Sequence, residues 1–108
     1  MILNMNNEND YVIAHLIWAN KNLENISELE KYPNLISLDV SHNQIRDISV
    51  LALLPKLKSL ALQHNKIVDI SPILGLEDLE YLNLSHNYIT KTNQKILIKA
   101  LPKCMIGF

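Results

Sequence analysis

The chain has 108 residues, 48% of them hydrophobic, with 10 Lys or Arg against 11 Asp or Glu and a formal net charge of −1. One domain with its own core is the expectation at this length, and scattered charges of both signs leave no basic footprint for nucleic acid or an anionic membrane. No apolar run approaches a membrane span, and a single cysteine excludes an internal disulfide.

Residues 1–12, MILNMNNENDYV, have no basic n-region and too short an apolar run for a signal peptide, so a cytoplasmic location is expected. Their expected role is to cap one open end of the domain. From Ile13, IAHLIWANKNL places Ile13, Leu16, Trp18, Leu23 and Ile26 at apolar sites, with Trp18 filling volume. The same spacing returns as LISLDVSHNQI from Leu35, LKSLALQHNKI from Leu57 and LEYLNLSHNYI from Leu79. The shared pattern is Leu-x-x-Leu-x-(Leu/Val)-x-His-Asn-x-Ile, and Asn43, Asn65 and Asn87 recur within it every 22 residues. A fixed period of this size marks a solenoid of stacked coils. The expected units are residues 13–34, 35–56, 57–78 and 79–100, then a closing strand within 101–108, all in one domain spanning 1–108. In that last piece Cys104 and Ile106 are expected at the second and third apolar sites.

Each coil opens with alternation, as in Leu38-x-Val40, Leu60-x-Leu62 and Leu82-x-Leu84, which is strand geometry. One strand per coil, always in the same direction, implies a parallel sheet. The second half of each coil carries apolar residues every third position (Ile48, Leu51 and Leu54, then Ile70, Ile73 and Leu76), which suits a turn of 3₁₀ or short α-helix. Ser27, Ser49, Ser71 and Asn93 share the 22-residue spacing and are expected as helix N-caps. Pro72 after Ser71 and Glu30 after Ser27 fit that reading. The last coil differs. Thr92 and Lys95 occupy apolar sites, and TNQKILIKAL instead forms one stripe of Ile96, Leu97, Ala100 and Leu101, predicting a longer closing helix.

The repeated asparagines have a structural explanation. At the bend after each strand, backbone N–H and C=O groups leave water and must be paired. An amide side chain supplies both donors and an acceptor, so stacked Asn43, Asn65 and Asn87 can satisfy adjacent coils. Lys21 interrupts the series in the first coil.

These residues resemble the leucine-rich repeat family, in its 22-residue class typified by a phosphatase regulatory subunit and by bacterial internalins. The template is met almost site for site by residues 35–79. The resemblance implies an α/β fold: a right-handed solenoid with the parallel sheet on its concave face and short 3₁₀ or α segments on its convex face. It also implies a protein-binding module.

His42, His64 and His86 are expected to align at the strand spacing of about 4.8 Å. A tetrahedral metal ion needs ligand nitrogens converging at about 2 Å, which such a row does not offer, and no carboxylate or cysteine repeats beside it. Ser41 and Ser85 precede histidines but point to the opposite face, and isolated Gly75 and Gly107 make no phosphate loop. No catalytic residue, metal or cofactor is therefore expected.

Alternation identifies the concave face. Its first row is expected to be His15, Ser37, Ser59, Tyr81 and Lys103, and its second Ile17, Asp39, Ala61, Asn83 and Met105, with Ala19, Ser41, Gln63, Ser85 and Gly107 beyond. The expected function is capture of a partner protein on this face, as a regulatory or immunity-type inhibitor protein, with Tyr81 the best hot-spot candidate. The alternative is a structural or self-assembling solenoid, a homodimer through a terminal strand edge.

Overall fold

The computed structural model describes residues 12–108, so the expected N-terminal cap lies outside the described residues save for Val12. Strands β1 (His15–Ile17), β2 (Ser37–Asp39), β3 (Ser59–Ala61), β4 (Tyr81–Asn83) and β5 (Met105–Gly107) form one parallel sheet in chain order. Three residues suffice for each strand because only the central one must point inward. Leu38, Leu60 and Leu82 do so and are at most 2% exposed.

Behind the sheet, 3₁₀ segments η1 (Ser27–Lys31), η2 (Ser49–Leu53) and η3 (Ser71–Ile73) carry each coil back. Leu29, Leu51 and Ile73 project from them into the core and are fully buried. Between sheet and segments, equivalent residues stack in columns: Leu35–Leu57–Leu79, Val40–Leu62–Leu84, and Ile45–Ile67. Trp18 packs against the first-coil end of this single core, edge-on to Tyr32 with ring centroids 6.1 Å apart. The chain is thus an α/β solenoid, with a parallel sheet on one side and 3₁₀ segments on the other.

The register steps by 22 residues from β1 to β4: His15 pairs with Ser37, Ser37 with Ser59, and Ser59 with Tyr81. The final step is 24. Tyr81 pairs with Met105, Leu82 with Ile106, and Asn83 with Gly107. Lys103, expected in the row of Tyr81, instead lies in the turn before β5, and Met105 takes its place. Likewise Ile106, not Cys104, occupies the site equivalent to Leu82. The cause is the closing helix α1 (Lys91–Ala100). An α-helix rises about 1.5 Å per residue against about 2.0 Å for 3₁₀, so the coil that uses it needs more residues to return to the sheet.

The caps also differ from expectation. The cap positions of η1, η2 and η3 are Ile26, Ile48 and Ile70, none of which caps with its side chain, and Ser27, Ser49 and Ser71 are first helical residues. The capping acceptors stand two residues before each serine. Asn25 Oδ1 accepts from Ser27 N at 2.8 Å, Asp47 Oδ1 from Ser49 N at 2.8 Å, and Asp69 Oδ1 from Ser71 N at 2.9 Å. The core requires the isoleucines, at 1%, 1% and 4% exposure, so the polar cap retreats one position and becomes an Asx turn. In α1 the cap is Thr90, whose side chain accepts from Asn93 N at 3.1 Å, so Asn93 is capped rather than capping.

The three asparagines bridge neighbouring coils. Asn43 Oδ1 accepts from Lys21 N and Leu23 N, while its Nδ2 donates to Trp18 O of the preceding coil and Val40 O of its own. Asn65 accepts from Ile45 N at 3.0 Å and donates to Val40 O and Leu62 O. Asn87 accepts from Ile67 N at 2.9 Å and donates to Leu62 O and Leu84 O. The break at Lys21 costs the first coil no ladder bond to its successor, because Asn43 reaches back to serve it.

These bonds make the solenoid sensitive to substitution and to acid. Asn65 is 6% exposed, and Asn65→Ala would strand the buried Ile45 N–H, at about 1–3 kcal/mol when unpaired, and would remove one of two amide donors from Val40 O and Leu62 O, which keep Asn43 and Asn87. Urea denaturation is expected to show a loss of about 3 kcal/mol for this variant, and less for Asn87→Ala at its half-buried site. In acid, the carboxyls of Asp47 and Asp69 are the responsive groups. The backbone hydrogen bonds from Ser49 and Ser71, then their side-chain hydrogen bonds, hold both below the ordinary 3.8. A depressed native pKa contributes stability that is present above 3.8 and lost as pH falls through the native value. Denaturation curves between about pH 5 and pH 2.5 are therefore expected to fall less steeply for Asp47→Asn/Asp69→Asn than for wild type.

Candidate binding face

The strand residues flanking each central, inward-pointing apolar residue form the exposed face of the sheet. Its first row is His15, Ser37, Ser59, Tyr81 and Met105, and its second is Ile17, Asp39, Ala61, Asn83 and Gly107. Ala19, Ser41, Gln63 and Ser85 come just after the strands. Lys103 is the one expected face residue that the register removes.

Size is unevenly distributed over this face. Ile17 at 73%, Tyr81 at 54% and Met105 at 68% exposure stand at its two ends, with small residues between. Ser59, Ala61, Tyr81, Asn83, Met105 and Gly107 line a shallow depression at the β3–β5 end. The polar groups in the middle are held back. Asp39 Oδ1 accepts from Ser41 N at 2.9 Å and Ser41 Oγ at 2.6 Å, and Asn83 Oδ1 accepts from Ser85 N at 3.0 Å and Ser85 Oγ at 2.8 Å. Both side chains are thereby folded against their own strand ends, which keeps the centre low. Gln63 Oε1, near the same edge, is shielded from solvent and has no hydrogen-bond partner among the described residues.

The histidines border this face as a closed column. The rings of His42 and His64 stack at 4.3 Å and 15°, and those of His64 and His86 at 4.0 Å and 12°. This is tighter than the strand spacing, so the side chains lean together. All three have left-handed backbone, with φ of 56°, 59° and 59°, and Asn20 takes the equivalent place in the first coil with φ 57°. Asn and His tolerate this region better than most residues, which explains their presence at the bend. Near-parallel rings cannot aim their nitrogen lone pairs, which lie in the ring planes, at one point. Among the described residues no group of three His, Cys, Asp or Glu could hold a metal ion. Half-buried Cys104 stands apart from the face, and burial pushes its thiol up. No helix among the described residues is long and apolar enough to cross a membrane.

Known proteins share this architecture. A family model described as a leucine-rich repeat matches residues 16–67, and one described as two leucine-rich repeat copies matches residues 55–97. Internalin C2 of Listeria monocytogenes is 32% identical with a TM-score of 0.79, over 87% of this chain and 41% of that one. A leucine-rich repeat protein of Leptospira interrogans is 30% identical with a TM-score of 0.69, over 79% of this chain and 22% of that one. The ectodomain of the plant membrane receptor kinase GASSHO1/SCHENGEN3 from Arabidopsis thaliana, solved in complex with CASPARIAN STRIP INTEGRITY FACTOR 2, is 27% identical with a TM-score of 0.66, over 84% and 12% of the two chains. This chain therefore spans less than half the length of the internalin it matches. No curated protein sequence matches it significantly. Repeat period, asparagine bridges, parallel sheet and these likenesses agree: the chain belongs to the leucine-rich repeat family, whose members generally mediate protein–protein interaction and are typically not enzymes.

Proposed function

We propose that this chain captures a partner protein on the concave sheet face, as a regulatory or inhibitor-type interaction module. The observation that carries this reading is the placement of Ile17, Tyr81 and Met105. Large apolar side chains are left in water at both ends of a face whose centre is small and low. A partner could reach the sheet closely there and desolvate three anchors at once, the arrangement in which a few residues dominate affinity. The plant receptor ectodomain solved with its bound factor supports the mode of action in kind.

The test is affinity capture with the immobilised chain. Tyr81→Ala and Met105→Ala are each expected to weaken capture of the same partner at least about 30-fold, the equivalent of about 2 kcal/mol for a hot spot. Leu53→Ala and Val68→Ala, exposed apolar sites off the sheet, are expected to leave it unchanged. Capture that survives both sheet substitutions and fails with Leu53→Ala or Val68→Ala would place the partner elsewhere.

A further inference from the structure

We propose that the His42–His64–His86 column is a proton-operated rim of the binding face, a closed wall of stacked neutral rings that charges and splays as the medium acidifies. The proposal rests on the function proposed above for its consequence, but its physical content belongs to this chain alone.

The geometry comes first. Ring centroids 4.3 and 4.0 Å apart in near-parallel planes leave no room for water or a counter-ion between neighbouring rings. The rings are brought there by a backbone bend repeated identically at φ 56°, 59° and 59°. The first two bends are tied to the next coil: His42 N donates to Gln63 O and His64 N to Ser85 O, both at 2.9 Å. The backbone is thus fixed, and the side chains alone can respond to charge. A proton on one ring places a positive charge against its neighbour's face, and a second proton on the adjacent ring adds direct repulsion.

The central ring has a stacked neighbour on each face. Loss of water around His64, then the charges of His86 and His42, hold its pKa below the ordinary 6.5. The other titratable groups within three residues of these bend positions are Lys21, Lys66 and Tyr88 after the bend and Asp39 before it. Asp39 is engaged by Ser41 through both N and Oγ. The charges acting on His64 are those of its two stacked neighbours.

All four histidines of the chain lie on the sheet face or on this rim, because His15 is in β1. The described strands carry no Lys or Arg. The strands therefore carry one acidic side chain, Asp39, and the imidazoles of His15 and of the column are the basic groups of this face and its rim. A partner seated on the sheet meets a closed wall while the stacked rings are neutral and positive charge once they take up protons.

The test uses the chain without any partner, so its failure is distinct from failure of the proposed function. Proton NMR would track the ring resonances of each histidine from about pH 8 to pH 4.5, spanning the histidine range, in wild type and in His42→Asn/His86→Asn. Asn is chosen because Asn20 already occupies this bend, and circular dichroism would confirm that the variant is folded. His64 is expected to titrate below 6.5 in wild type and to move upward in the variant. Through-space contacts between neighbouring rings are expected in neutral wild type and lost in acid. A second reading comes from stability. With a lowered native pKa the unfolded chain binds the proton first, so stability is whole above 6.5 and declines as pH falls through it. Single His64→Asn is expected to show a shallower decline. A His64 midpoint that does not move when its neighbours are removed, or ring contacts that persist at the acid end of the titration, would overturn the proposal.

Discussion

The structure depends on one constraint: the chain must turn inward after every strand, and the backbone groups it buries there must be paired. Backbone hydrogen bonds between coils, such as His42 N to Gln63 O and Lys66 N to Ile45 O, pair only some of these groups. The amide of Asn65 supplies the missing partners, accepting from Ile45 N while donating to Val40 O and Leu62 O. It closes its own bend and locks the preceding one. A side chain that serves two coils simultaneously makes each coil's conformation conditional on its neighbour's. That is why equivalent residues stack in vertical columns rather than merely recurring in sequence.

This conditionality explains what is legible in the sequence and what is not. Wherever the coil repeats without change, position along the chain is position in the solid: the columns through Leu38, Leu60 and Leu82, and the face rows through Ser37, Ser59 and Tyr81, come from counting. The count fails where the return path changes its secondary structure. The apolar stripe in TNQKILIKAL announces α1, but its consequence for register depends on the smaller rise of an α-helix, and so counting alone puts Lys103 and Met105 two residues out of place. The caps depart from expectation for another reason. Asn25, Asp47 and Asp69 share the 22-residue spacing as plainly as the serines do. The decisive signal is the isoleucine between each pair, a residue the core does not release to the cap position.

The exposed sheet face shows a similar division. Its membership is legible from alternation, whereas the arrangement of its polar groups is not. Asp39 and Asn83 turn back onto Ser41 and Ser85, a local choice made by hydrogen-bond geometry rather than by periodicity. Ring stacking at the rim likewise depends on a positive φ at each histidine, which residue type permits but does not dictate.

These features separate stability from the proposed recognition. The core columns and asparagine bridges lie behind the sheet or at its far bend, and the exposed strand residues take part in neither. Ile17, Tyr81 and Met105 stand on a scaffold whose backbone hydrogen bonds are already made, so substitutions there leave the coil-to-coil bonds intact. The histidines are the exception, sharing a bend with the asparagines that hold the coils together, His42 beside Asn43 and His64 beside Asn65. Chemistry that responds to the medium is thus placed next to the element that must not move. Protonation acts on the rings, while the adjacent amide keeps the backbone beneath them in place. The rim can change its charge without unwinding the solenoid because the two tasks fall to successive residues.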